Sequence, residues 1–401
     1  MVGIGFIEKT LLTGCHWASY RGHRWKPRKH HTIMKILYAV QATGNGHISR
    51  AAEIIPLLQT YGSVDVMLSG NNAHLPVQLP VKFRSKGISL FYRHGGGLNY
   101  KKMLRQINPI QLWSDIRQLP VHEYDLVIND FDFITAMACK LKGVFSVQIG
   151  HQASFQYQNV PRPDTRNRFG EFVLKHFAPA SHYIGLHFQP YHPNILPPVI
   201  GDSIRQSLPS NQGHITVYLA QYRLEELLRQ FKSLTHLRFH IFSAEVSKQS
   251  QKDNCTIFPL GKESFSHSMI HSQGIITGGG FETPAEALFL GKKIMSIPIK
   301  GQYEQQCNAA ALRTLGAKVL TDMDIHFGAE VDRFFNGQTA EKNAQITFWS
   351  NKTIVDNFMA MALKAKSKNP DQDTELPGAT LLDGLMNTNF PSASSAIKIM
   401  P

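Results

Sequence analysis

Two glycine-rich segments, and the polar residues beside them, are where this chain could do chemistry. The first is Gln41-Ala42-Thr43-Gly44-Asn45-Gly46-His47. Gly44 and Gly46, on either side of Asn45, let backbone come close to a ligand at a helix start. His47 stands on that turn, and an imidazole that titrates near neutrality can take a proton from a hydroxyl. The segment is not a dinucleotide fingerprint, because the third glycine is missing and no acid follows the second strand to hold a ribose. It also lacks the Gly-Lys-Ser/Thr of a P-loop. A single histidine on a turn is more often a cap or a packing residue, so the turn alone assigns no catalysis.

The second segment is Ile275-Ile276-Thr277-Gly278-Gly279-Gly280-Phe281-Glu282-Thr283-Pro284-Ala285-Glu286-Ala287-Leu288. Three glycines end a strand and open a helix, where free N–H groups and the helix dipole suit a pyrophosphate. Two plainer readings stand beside this one. The glycines fit a tight turn of unusual dihedrals, and Thr283-Pro284-Ala285-Glu286 reads as a capping box with proline at the first helical position. A capping Glu286 needs no ligand. Fifteen residues after Glu286 begins Gly301-Gln302-Tyr303-Glu304-Gln305-Gln306-Cys307-Asn308-Ala309. As a loop it would present Glu304, Gln305 and Asn308 to several sugar hydroxyls; as a polar helix start it would present nothing.

Strands must hold these segments. Residues 35–40 are a short apolar run that stops at the first glycine turn and reads as a buried strand. Ile48, Ala51, Ala52, Ile55 and Leu58 follow at helical spacing. Strand, glycine turn and helix open a Rossmann-like unit. Runs at 64–68, 125–129 and 144–149 predict further strands, with a helix through 136–138. Residues 189–213, with Pro190, Pro193, Pro197, Pro198, Gly201, Pro209 and Gly213, break the rhythm and read as a linker. The alternation then restarts, with strands predicted at 215–219, 237–242, 274–277 and 293–297 and a helix at 224–231.

The predicted fold class is therefore α/β, two Rossmann-like domains with parallel sheets facing each other across a cleft that holds the ligand. The expected organisation is a basic, disordered extension over 1–33, a first domain over 34–195 and a hinge over 196–213. A second domain over 214–340, a C-terminal helix over 341–366 and a disordered tail over 367–401 complete it.

Composition suits this plan. The 401 residues are 42% hydrophobic and 18% charged, as in a soluble chain of two domains. No apolar run approaches the ~18 residues of a membrane span. The four cysteines are scattered, which predicts neither a disulfide framework nor a zinc site and points to a reducing, cytoplasmic setting. The net charge of +13 is partly local. Residues 81–105 carry Lys82, Arg84, Lys86, Arg93, Lys101, Lys102 and Arg105, no acid, and four interleaved aromatics. Such a stretch suits an anionic membrane surface or a phosphorylated acceptor, or is an ordinary solvated face; nucleic acid is not expected.

Residues 278–288, Gly291-Lys292, Pro298 and Glu304-Gln305-x-x-Asn308-Ala309 together resemble the donor-site signature of GT-B glycosyltransferases of families 1 and 28, the MurG-like type. The glycine turn ending in His47 resembles the amino-terminal motif of the same group, so the likeness spans residues 34–320. It implies an inverting, metal-independent hexosyl transfer from a UDP-type nucleotide-sugar, a substrate, with no cofactor. By position, Glu286, five residues before Gly291, would hold the ribose hydroxyls. Glu304 and Gln305 would contact the donor sugar. Gly278, Gly279 and Gly280 would face the diphosphate, and Phe281, Glu282, Thr283 and Asn308 would complete the donor site.

His47 matches the base position of plant members, and Asp130 resembles the acid that orients it, since a carboxylate fixes the tautomer and favours imidazolium. Asp132 is close enough to compete for that role, and His151 and His94 are further cleft histidines. Asp130-Phe131-Asp132 also spells the D-x-D that binds metal in the other glycosyltransferase fold, but it ends a strand far from the donor motif, and no metal is expected. Glu304 stands where many members have Asp or Gln, which leaves the sugar open. The acceptor (a glycan, a lipid-linked or a small molecule) is open too. The basic stretch 81–105, with Gly95-Gly96-Gly97, lies where this fold usually contacts acceptors, and would seat the chain peripherally on the inner face of a membrane. A UDP-sugar 2-epimerase of the same fold and a non-catalytic nucleotide-sugar-binding protein are the alternatives; a nicotinamide oxidoreductase would need the missing ribose acid.

Overall fold

The apolar runs assemble into two sheets in a computed structural model, which describes residues 33–42, 45–70, 79–88, 108–337 and 346–368. The first sheet holds β1 (Met34–Gln41), β2 (Gly62–Ser69), β3 (Val81–Ser85), β4 (Leu126–Asp130), β5 (Ser146–Gly150), β6 (His182–Leu186) and β7 (Ile195–Leu196). Its order is β3-β2-β1-β4-β5-β6-β7, parallel throughout. A parallel sheet is covered on both faces, which explains the unbroken apolar run of β1. Ile36, Tyr38 and Val40 pack under Ile48, Ala51, Ile54 and Leu58 of the helix Asn45–Leu58. Leu37 and Ala39 point the other way, onto Ile116, Ile134 and Met137. Each buried Ile, Leu, Val or Met among these contributes about 1.5–3 kcal/mol before the entropy of ordering it.

The second sheet holds β8 (His214–Tyr218), β9 (Arg238–Ser243), β10 (Ser250–Lys252), β11 (Cys255–Pro259), β12 (Gly274–Thr277), β13 (Lys293–Ser296) and β14 (Lys318–Val319). Its order is β10-β11-β9-β8-β12-β13-β14, and only β10, a short exposed strand, runs antiparallel to its neighbour. Ile215, Val217, Phe231, Phe239, Ile276 and Met295 fill its core. Among the parallel strands of each sheet the chain order reverses once, between β1 and β4 and between β8 and β12. Crevices open at the carboxyl ends of such strand pairs.

Two expectations are corrected here. The proline-rich segment 189–213 is not all linker: it contains β7 and a helical turn, Asp202–Arg205. The C-terminal helix begins at Asn351 rather than 341 and runs through Lys368, into the segment expected to be disordered. Its start is set by Ser350, whose hydroxyl accepts the Thr353 N–H at 3.0 Å. The helix packs Ile354, Val355, Phe358 and Met359 into the core under β1. Tyr61 donates to Asp356 at 2.6 Å, and the Asn351 amide donates to the Ile200 carbonyl at 2.8 Å. The described part of the basic stretch, residues 81–88, contains the edge strand β3, where Lys82 pairs with Asp65 at 2.6 Å and lies near the Tyr124 ring.

The extension 1–32, His94, Gly95-Gly96-Gly97 and the tail from 369 lie outside the described residues. Among the described residues no helix is long and apolar enough to cross a membrane.

Candidate active site

β1 and β4 are hydrogen-bonded neighbours, with Val40 opposite Asp130. Their carboxyl ends therefore bring the first glycine turn and Asp130 side by side. Gly44 of that turn lies outside the described residues; Asn45 and Gly46 begin the helix. His47, on its first turn, places Nδ1 2.8 Å from Asp130 Oδ1. Two acceptors would repel at that distance, so Nδ1 carries a proton and donates it; in the neutral ring the lone pair is then on Nε2. The 3.0 Å approach of an Arg50 nitrogen to the same Nδ1 is then a contact between donors.

Arg50, one helical turn past His47, grips Asp130 twice: Nε to Oδ2 at 3.0 Å and Nη2 to Oδ1 at 2.7 Å. Burial alone would raise the Asp130 carboxyl. The charges of Arg50 and His47, and their hydrogen bonds, outweigh burial and hold it at about 2. Asp130 is thus a carboxylate at any working pH.

The turn after β4 is built to present this group. Phe131 takes φ 58°, a left-handed value that costs a residue with a Cβ on the order of 1 kcal/mol. The Asn129 side chain clamps the turn, accepting the Asp132 N–H at 2.6 Å and donating to the Asp132 carbonyl at 2.9 Å. Asp132 itself caps the helix Phe133–Lys142 through the Thr135 N–H at 2.7 Å and accepts from the Ser69 hydroxyl. It does not compete for His47.

Behind the pair, β5 ends at Gly150 with φ +129°. A Cβ there would stand 2.9 Å from Asp130 Oδ1 and 3.1 Å from Arg50 Nη2. Gly150→Ala is therefore expected to lower kcat at least about tenfold and to destabilise the fold by about 1–3 kcal/mol. Steady-state kinetics and urea unfolding check both.

The second glycine segment forms a corner after β12. The expected capping box is absent: the helix Glu282–Phe289 starts with Phe281 at its cap position and no side-chain cap, so Thr283 already lies inside the helix. Glu286 has no capping duty. The dihedral reading of the glycines is corrected as well, because none of Gly278, Gly279 and Gly280 has positive φ. Small size is what the corner needs. A Cβ on Gly279 would meet the Gln305 carbonyl at 2.5 Å, whereas one on Gly280 would meet nothing within 4 Å. The corner is tight on one side and open on the other.

Of the two readings of 301–309, a sugar-facing loop and a polar helix start, the structure has the second: the segment opens the helix Tyr303–Thr314. Gln305 Oε1 accepts the N–H groups of Gly279, at 3.1 Å, and Ile299, at 2.9 Å. Asn308 is buried, donates to the Gly279 carbonyl at 2.8 Å and meets His151 Nε2 with its oxygen. These two residues hold the corner in shape. Glu304 turns from the corner to the buried Gln152, which donates to it at 3.1 Å.

Side chains of the two sheets meet between His47 and this corner. Arg50 Nη1 pairs with Glu282, and a Cβ on Gly46 would come within 3.1 Å of Glu282 Cγ. The Gln152 amide nitrogen lies 3.5 Å from His47 Nε2. Phe281 stacks on the His151 ring with centroids 4.1 Å apart. Burial pushes His151 down to about 3, against its hydrogen bonds to Leu186 and Asn308, so it is neutral and enclosed. Burial, reinforced by the charges of Glu282 and Glu53 and opposed by Lys262, pushes Glu286 up to about 8. Both Glu286 and Glu53 reach toward Gly201, where a Cβ would lie 3.6 and 3.5 Å from their respective oxygens.

Sequence reasoning did not single out Arg50, Gln152 or Gly150. A signal for Arg50 was available: it stands three residues after His47, hence on the same helix face. Of the D-x-D pair, both carboxylates are taken by protein donors, and among the described residues no group of three His, Cys, Asp or Glu could hold a metal.

Comparison with known proteins meets this geometry. The chain matches the family described as Glycosyl transferase family 1 over residues 34–337, well over half its length. Among curated proteins there is no significant match. Among solved structures it is similar to the spinosyn forosaminyltransferase SpnP, with TM-score 0.52 and 13% identity over 83% of this chain and 100% of that one. UGT89C1 of Arabidopsis thaliana, complexed with UDP, gives 0.51 and 11% over 83% and 99%. UGT2 of Phytolacca americana, complexed with UDP-2fluoro-glucose and pterostilbene, gives 0.51 and 12% over 84% and 95%. Likeness at these identities speaks for the fold, two Rossmann-like halves around a cleft, and the family match speaks for the chemistry: the chain belongs to glycosyl transferase family 1, sugar-transferring enzymes of the GT-B fold.

Proposed function

We propose that the chain transfers a hexose, with inversion, from a UDP-type nucleotide-sugar to an acceptor hydroxyl, using neither metal nor cofactor. The observation that carries this reading is the His47–Asp130 pair, which reaches the open glycine corner through Glu282. His47 Nε2 takes the acceptor's proton as its oxygen attacks the anomeric carbon. The bond from that carbon to the diphosphate breaks in the same displacement, and the nucleotide leaves with the electron pair. One displacement inverts the centre. The imidazolium that forms is stabilised by the Asp130 carboxylate.

Charge on the leaving diphosphate would be met by the N–H groups that open the helix Glu282–Phe289, groups worth roughly 3–4 kcal/mol each when preorganised. Glu286, half-buried and without a cap to serve, is the candidate for the ribose hydroxyls, and Glu304 for the sugar. Occupied carboxylates at Asp130 and Asp132 support metal independence. Two structural relatives complexed with UDP or a UDP-sugar support the nucleotide. The acceptor class is left to experiment, with small molecules such as the pterostilbene of one relative beside glycans and lipid-linked sugars.

A panel of radiolabelled UDP- and TDP-sugars, with and without an acceptor extract, tests the reading. Acceptor-dependent transfer is expected, with kcat at least about 100-fold lower in His47→Ala and donor KM about tenfold higher in Glu286→Ala. Epimerised nucleotide-sugar formed without acceptor would favour the epimerase. UDP binding with no turnover on any donor would favour a binding protein.

A further inference from the structure

Arg50 bridges the two halves of the site, and its acidic partner across the cleft stands in an unusual place. Nε and Nη2 of Arg50 hold Asp130, while Nη1 reaches Glu282 on the first turn of the helix that the glycine corner opens. A helix start collects positive potential and attracts anions. Glu282 is thus an anion already seated at the spot where the diphosphate is placed by the functional reading, on which this inference rests. The Glu282 side chain is 21% exposed and that of Arg50 2%, so the acid stands at the crevice edge and the guanidinium lies behind it.

We infer that Glu282 stands in for the donor's diphosphate on Arg50: the incoming diphosphate displaces the Glu282 carboxylate from Nη1, and Arg50 becomes a donor ligand. A guanidinium fork donates to carboxylate and phosphate oxygens alike, so one replaces the other without rebuilding the site. Arg50 keeps Asp130 through Nε and Nη2 during the exchange. The phosphate charge is then tied through one guanidinium to the carboxylate that orients His47, which links an occupied donor site to an aligned base. The displaced carboxylate, among Asp130, Glu304 and the phosphates, is driven to take a proton. Burial already holds it above the ordinary range, with Asp130 and Glu304 adding to burial and Arg50 and His47 opposing it. In this account Glu282 is a placeholder rather than a contact of the bound donor.

Calorimetry with UDP, TDP and uridine on wild type, E282Q, R50K and R50Q decides it, with unfolding temperatures recorded for each. E282Q is expected to bind UDP about tenfold tighter and R50Q at least about tenfold weaker, with R50K between them and uridine affinity unchanged in all. Titration in buffers of different ionisation enthalpy should show wild type taking up more protons on binding UDP than E282Q does. If E282Q weakens UDP as R50Q does, Glu282 is a ligand or a latch and the inference is wrong. It is equally wrong if R50Q weakens uridine as much as UDP. Should R50Q not fold, E282Q and R50K carry the same outcomes. Wild type that binds neither UDP nor TDP overturns the functional reading and this inference together; binding that all variants share equally overturns this inference alone.

Discussion

Asp130→Asn is expected to lower kcat by about 10³–10⁴ while leaving the donor KM within a factor of a few. The amide has two settings, and neither replaces the carboxylate. With its oxygen at the Oδ1 position it still accepts from His47 and Arg50 Nη2, but its NH2 then confronts Arg50 Nε, a donor now 3.0 Å from Oδ2. No negative charge remains to stabilise imidazolium as the proton arrives. Flipped, the NH2 faces His47 Nδ1 and favours the tautomer whose Nε2 carries a proton and cannot accept another. In both settings the buried Arg50 loses one of the two carboxylates that balance it and keeps only Glu282, which costs up to about 3–5 kcal/mol. Thermal unfolding should fall together with activity, so kcat must be taken per folded molecule. Single-turnover rates with saturating donor separate the chemical step from binding. A kcat within tenfold of wild type would remove Asp130, and with it His47, from the catalytic role.

The parts of this site that were legible in the sequence are those written locally. A buried parallel strand is an unbroken apolar run, so β1, β4, β5, β8, β12 and β13 stood out, and with them the glycine turn after β1 and the corner after β12. Asp130 was legible because it directly ends such a run. Strands with little apolar signal were not: β3, β10 and β14 are short edge strands, and β7, two residues long, lies among prolines. The partnership of Arg50 was invisible for another reason. It joins residues 80 and 232 positions apart, and only the docking of β1 on β4, and of one sheet's residues on the other's, creates it. The role of Gly150 is likewise a matter of close approach to Asp130, which no spacing announces. At Glu286 the local rule pointed the wrong way. Thr-Pro-Ala-Glu spells a cap, but the corner enters the helix at Phe281, so the box falls inside the helix and its acid is left without a partner there.

That unpartnered acid should be visible in stability against pH. Without nucleotide, Glu286→Gln is expected to be more stable than wild type at pH 8, by about 1–3 kcal/mol, with the difference shrinking to nothing near pH 4.5. The sign follows from the position of the carboxyl. It titrates at about 8 in the folded chain and near 4.5 in the unfolded one, with burial the leading cause and Glu282 and Glu53 adding to it. Between those values the native state holds a proton that the unfolded chain has released. Raising the pH through this window therefore favours unfolding of the wild type, and the loss is complete above about pH 8. Glutamine, neutral throughout, escapes it. The full shift would correspond to about 5 kcal/mol at ~1.4 kcal/mol per unit; partial exposure reduces what is retained. UDP supplies the missing donors: ribose hydroxyls bonded to the ionised carboxylate lower its cost, so saturating nucleotide should narrow the gap between the two proteins at pH 8 and leave it unchanged at pH 5. Urea midpoints from pH 4.5 to 8.5, with and without UDP, measure both effects. A gap that does not depend on pH would mean that Glu286 is ionised and solvated all along. A gap that depends on pH but ignores UDP would leave the acid buried as described and take the ribose away from it.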